Sequence, residues 1–151
     1  MTERITERGI SLTDFTNNLF YKIIHNEVHS YKIHEDDDFL VILDKYPANP
    51  GHCLILPKIP AQDIFDLDEG IATKLYPLAK RIAAAVKAAT GCDGVNIVQN
   101  NGEAAGQCIF YFHLHIVPRF VGDGVVIKAA SSQPFDDDDA ITLQESITSV
   151  L

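Results

Sequence analysis

The alternation in Gln107-Cys108-Ile109-Phe110-Tyr111-Phe112-His113-Leu114-His115-Ile116-Val117-Pro118-Arg119 constrains the fold more than any other stretch. Apolar and polar residues change places with period two, which predicts a β-strand. Side chains two apart on a strand share a face. His113 and His115 should therefore point the same way, roughly 6 to 7 Å apart at the backbone. Phe112, Leu114 and Ile116 should point to the opposite face, into a core. Just upstream, residues 99–107 form a small-residue, amide-rich loop, Gln-Asn-Asn-Gly-Glu-Ala-Ala-Gly-Gln. An imidazole pair thus sits beside a loop able to donate hydrogen bonds to phosphate oxygens. Spacing alone leaves three readings open: half-buried polar residues, two metal ligands, or a catalytic pair.

At 151 residues the chain is long enough for one domain with a proper core. A hydrophobic content of 46% and a charged content of 22% are ordinary for a globular protein. No apolar run is long enough to cross a bilayer. The start, Met1-Thr2-Glu3-Arg4, lacks the basic and apolar regions of a secretory signal, so a cytoplasmic location is expected. Cys53, Cys92 and Cys108 are widely spaced and odd in number, which argues against a disulfide framework or a cysteine-rich zinc site. A net charge of −9 argues against general nucleic-acid binding, which needs a basic footprint. It leaves room for a small phosphate-bearing substrate held by imidazoles and amides. The acidic runs at 35–38 and 136–139 read as solvated turns. The first lacks the spaced ligands and central glycine of a calcium loop.

Several elements follow from periodicity. Phe15, Leu19, Phe20, Ile23 and Ile24 recur at helical steps between Asp14 and about His25. Tyr31–Glu35 and Phe39–Asp44 read as a hairpin, and His52–Lys58 as a third strand with Pro57 near its end. Asp66 or Asp68 can cap a long helix to about Ala89, with Leu75, Leu78, Ala79, Ile82 and Val86 as its stripe, Pro77 as a flaw and Gly91 as its stop. Residues 94–99 and 108–118 read as the fourth and fifth strands. The expected division is an N-terminal extension at 1–13, a domain at 14–128 and a polar tail at 129–151. The class is α+β: an antiparallel sheet of about five strands with one long helix and a short N-terminal helix segregated from it.

Four pieces, in this order, resemble the histidine triad family of nucleotide hydrolases and transferases: residues 20–24; 43–47 followed by Pro50-Gly51-His52 through Lys58; 94–100; and Ala105-Gly106-Gln107 through Arg119. The resemblance covers about two-thirds of the chain, from about Phe20 to Arg119. The family signature alternates three histidines with apolar residues. Here it reads Tyr111-Phe112-His113-Leu114-His115, with tyrosine at the first position. The resemblance implies that His113 is the nucleophile and that His115 assists at the phosphate. It also implies phosphate contacts from Asn100 and Gln107. Cys108 stands where serine or threonine is usual and would face the leaving group. Asp44 matches the ribose-binding acid, and Phe20, Ile23 and Ile42 match the base pocket. Tyr111 and His52 take supporting places. Transferase members often carry glutamine at the third position, so His115 favours a hydrolase.

Many bacterial relatives hold a structural zinc with a Cys-x-x-Cys pair and the first triad histidine. This chain has Asn18-Leu19-Phe20-Tyr21 and Tyr111 in those places, so no metal and no cofactor are expected. His52 is then better read as a hydrogen-bonded histidine than as a ligand. The implied activity is cleavage at the α-phosphate of nucleoside phosphoramidates, dinucleoside polyphosphates or related conjugates through a nucleotidyl-histidine. The competing readings are a nucleotide-binding module with little turnover and a His-pair metal protein. The implied partners are a nucleotide, with a purine favoured, and a second copy in a homodimer; neither nucleic acid nor membrane is expected.

Overall fold

The computed structural model describes residues 15–127 and 136–150. The expected extension at 1–13 lies outside the described residues, as does the start of the expected tail. Five strands form one open sheet: β1 (Lys32–Glu35), β2 (Phe39–Leu43), β3 (Cys53–Pro57), β4 (Gly94–Val98) and β5 (Leu114–Arg119). Their order is β1-β2-β3-β5-β4, and every neighbouring pair is antiparallel. With helices α1 (Leu19–Ile24) and α2 (Glu69–Thr90) on its two faces, the sheet gives the α+β class read from the sequence.

The period-two pattern sorts side chains between the two faces. Val41, Ile55, Leu114 and Ile116 pack with the α2 stripe of Ile71, Leu75, Leu78, Ala79, Ile82 and Val86. Leu40, Ile42, Leu54 and Leu56 pack on the other face with Phe20, Ile23 and Ile24 of α1. Register places Ile42 opposite Leu54, Leu54 opposite His115, and His115 opposite Val98. His115 therefore interrupts an apolar row on the α1 face.

Helix α2 is set by its ends. The Asp68 carboxylate accepts from the Ile71 amide at 2.9 Å, and Gly91 closes the helix in the left-handed region at φ 67°. Pro77 does not break it. Its missing donor frees the carbonyl of Thr73, and both residues are on the exposed side, where water can satisfy that carbonyl. Helix α1 begins at Leu19, later than the apolar spacing suggested, because the Asn18 side chain caps it at the Phe20 amide, 2.9 Å away.

Two readings need correction. The fifth strand begins at Leu114, not at Cys108. Pairing with β3 stops at Leu114 opposite Ile55 and pairing with β4 at His115 opposite Val98, where β4 ends; the Phe112 amide donates instead to the Ala61 carbonyl at 2.7 Å. The acidic run at 136–139 is not a turn. Asp136 caps a third helix, α3 (Asp137–Thr148), and Asp137, Asp138 and Asp139 fill its first turn. Carboxylates there offset the positive end of the helix dipole. The first acidic run does form a turn: Asp36 Oδ1 accepts from the Asp38 and Phe39 amides at 2.9 and 2.7 Å. Among the described residues no helix is long and apolar enough to cross a membrane.

Candidate active site

His113 leads into β5 and His115 lies on it, so the rings share the α1 face, with centroids 4.9 Å apart and planes at 67°. The Phe20 ring stands edge-on to His113 at 4.9 Å. The proton positions follow from the hydrogen-bond network. His113 Nδ1 donates to the Tyr111 carbonyl at 2.6 Å. A neutral His113 then carries a bare lone pair on Nε2. His113 is only 8% exposed, yet Nε2 is not sealed: among the described residues the one fully buried side-chain polar atom without a partner is Ser30 Oγ.

His115 has the opposite arrangement. The Ala48 amide donates to His52 Nδ1 at 3.1 Å, so a neutral His52 holds its proton on Nε2. That proton faces His115 Nδ1 at 2.8 Å. His115 must accept there and keep its own proton on Nε2. One ring thus offers a lone pair and the next an N–H. Burial lowers the pKa of all three rings, and His115 falls to about 4, helped by the neighbouring imidazoles. All three are therefore neutral near pH 7.

Asp44 joins this group. Its Oδ2 lies 3.6 Å from His52 Nε2, and its Oδ1 accepts from the Tyr46 amide at 2.8 Å. Asp44, His52 and His115 each present a ligand atom within 4.8 Å of the others, the geometry of a cation tripod. A metal ion there would have to displace the proton between His52 and His115 and oppose the Ala48 amide. The zinc set of bacterial relatives does not fit this chain. Asn18 caps α1. Tyr111 is fully buried against Phe15 and Phe20, with its hydroxyl on the Pro57 carbonyl at 2.6 Å. That burial raises the Tyr111 pKa far above its ordinary value.

The loop residues divide. Asn100 Nδ2 lies beside Gly106, where an added Cβ would sit 3.8 Å away, and among the described residues no hydrogen-bond partner takes its side-chain amide. Gln107 is fully engaged: Oε1 accepts from the Gly102 amide at 2.7 Å, while Nε2 donates to the Gln62 and Ile109 carbonyls at 2.7 and 3.2 Å. It braces the loop. Cys108 is exposed, with its thiol 3.6 Å from the Gly106 carbonyl. Phe20, Ile23 and Ile42 lie together in the apolar cluster on the histidine face. The sequence reading missed Ala48 and Asn49, whose loop supports His52. The only signal was the run Pro47-Ala48-Asn49-Pro50-Gly51, which marks a tight loop before a histidine without saying what the loop grips.

An open antiparallel sheet carrying histidines on one face, below a loop rich in amides, defines a class of protein that comparison identifies. The HIT domain model matches residues 25–122, and the chain belongs to the HIT family. Protein hit of Bacillus subtilis is 36% identical over 109 residues, spanning 72% of this chain and 75% of that protein. The adenylylsulfatase HINT3 of Arabidopsis thaliana is 41% identical over 101 residues, 67% of this chain and 51% of that protein. A crystal structure of a HIT family protein from Bacillus anthracis superposes with a TM-score of 0.83 at 35% identity, covering 90% of this chain and 98% of that one.

Proposed function

We propose that this protein is a nucleotide hydrolase that cleaves at the α-phosphate of nucleoside phosphoramidates, dinucleoside polyphosphates or related nucleotidyl conjugates. The observation that carries this reading is the opposed proton state of two adjacent rings: bare Nε2 on His113 and N–H on His115. His113 Nε2 attacks the α-phosphorus, and the bond to the leaving group breaks as that group takes up a proton from solvent. Water then attacks the same phosphorus, the P–N bond breaks, and nucleoside monophosphate leaves with His113 neutral again. Two easier displacements replace one hard one. The His115 N–H meets charge developing on a non-bridging oxygen. Asn100 and the amides around Gly106 and Cys108 add donors, Gln107 keeps that loop in shape, and Asp44 accepts from the ribose hydroxyls. Phe20, Ile23 and Ile42 line the place for the base, for which we propose a purine. Support also comes from HINT3, an adenylylsulfatase within the same family.

The test is turnover of adenosine phosphoramidate, diadenosine polyphosphates and adenylyl sulfate by the wild type and by His113→Ala. Wild-type turnover with a loss on the order of a thousandfold or more in the variant is expected. Equal rates for the two proteins would end the reading. A homodimer belongs to the same proposal, and sizing over a range of concentrations checks it. Cys108 favours one second reading, a nucleotide-binding module with little turnover, because a thiol donates poorly to a leaving group. Tight binding of nucleoside monophosphate by calorimetry, with no turnover of any of these substrates, would favour it.

A further inference from the structure

The mechanism above makes no use of one buried charge. The Asp123 side chain is 7% exposed and fully engaged. Its carboxylate accepts from Arg119 Nε and Nη2, both at 2.8 Å, and from the Phe120 and Val125 amides at 3.0 and 2.9 Å. Those contacts close the loop after β5. The remaining contact reaches a different part of the chain: Asn49 Nδ2 donates to Asp123 Oδ2 at 2.9 Å and to the Pro118 carbonyl at 2.9 Å. Asn49 is 74 residues away in sequence and sits in the loop between β2 and β3.

That loop carries the amide that decides the proton position on His52. The Asn49 carbonyl accepts from the His52 amide at 3.1 Å, and the Asp44 amide donates to the His52 carbonyl at 2.8 Å. The neighbouring Ala48 amide then meets His52 Nδ1 at 3.1 Å. Residues 45–48 are otherwise exposed. The Asp44 carboxylate holds the start of this segment at the Tyr46 amide, and the Asn49 side chain ties its far end to the chain after β5.

The consequence is a choice between two states of the relay. With the Ala48 amide in place, His52 holds its proton on Nε2, and His115 presents N–H outward. Without that amide, His52 is free to carry its proton on Nδ1 and present a bare Nε2 to His115. His115 would then donate through Nδ1 and turn a lone pair outward. A lone pair facing a phosphate oxygen repels it. Moving one proton across His52 thus converts the site from a donor to a non-donor.

We propose that Asp123 is a positioning residue that, through Asn49 and the Ala48 amide, fixes the tautomer of His52 and so keeps the outward nitrogen of His115 protonated. The inference rests on reading His115 as the donor to phosphate, but the tautomer itself can be observed without turnover. The experiment compares imidazole 15N shifts of the full chain by NMR in wild type, Asn49→Ala and Asp123→Asn, with kcat, KM and Tm measured alongside. The wild type should show His115 protonated at Nε2 alone. Asn49→Ala should show a mixture of the two tautomers and a kcat lower by about tenfold, with little change in KM. Asp123→Asn should show the same His115 signature in its folded population and a lower Tm. If Asp123→Asn does not fold, Asn49→Ala decides the question. Unchanged His115 shifts in folded Asn49→Ala, even with a lowered Tm, would overturn the proposal and leave Asn49 as a loop staple. If the wild type turns over no nucleotidyl substrate, the hydrolase reading falls, while the ring shifts still judge this one.

Discussion

His113 and His115 differ less in chemistry than in which nitrogen holds the proton, and that difference comes from their partners. His115→Ala removes a preorganised donor and should lower kcat by about 100- to 1,000-fold. His115→Gln keeps an N–H donor and should recover part of that loss in the same assay. The lowered pKa of His113 has a definite sign. In the proposed reaction His113 attacks unprotonated, and burial keeps it so below the ordinary imidazole value. The acid limb of kcat/KM should therefore fall below about pH 6.5. A limb centred above that value would contradict the burial argument. The shared face of these two rings was legible in the alternation of residues 107–119. The His52 contact was not, because its partner lies 63 residues away and only pairing of β3 with β5 brings them together. Gln107 was legible as a member of the loop but not as its brace, since an amide side chain looks the same in sequence whether it faces a ligand or a carbonyl.

At the scale of elements, the sheet holds the site and α2 holds the sheet. Leu78 is 2% exposed in the α2 cluster, and Leu78→Ala should cost about 2–5 kcal/mol in urea unfolding. Asp68→Ala removes only the cap of the same helix and should cost about 1 kcal/mol. A reversed ranking would show that the cap, not the stripe, secures α2. The long helix could be read from its period because it buries one face, and β2 and β3, buried on both, could be read as short apolar runs between turn residues. α3 could not: it has no buried residue among those described, and its start lies in an acidic run that resembles a turn until the Asp136 cap is seen. The late start of β5 was hidden for the opposite reason. The alternation runs on through Cys108–His113, although the ladder beside it has ended.

For the whole molecule, the buried imidazoles make folding sensitive to acid. His52, His113 and His115 all have lowered pKa values in the folded state, His115 reaching about 4. Unfolded, each returns to about 6.5. Between those values the unfolded chain binds protons that the folded chain does not, so stability declines as pH drops through about 6.5. For His115 the loss is complete near pH 4. Urea midpoints measured from pH 7.5 to 4.5 should follow that decline, and His115→Gln should make it shallower. An unchanged slope in the variant would mean that this ring does not contribute.

The Tyr111 hydroxyl on the Pro57 carbonyl ties the approach to β5 onto the end of β3 with light atoms alone. Where the family signature has its first histidine, this protein has a phenol. Dialysis against a chelator should therefore leave both its melting curve and its turnover as they were.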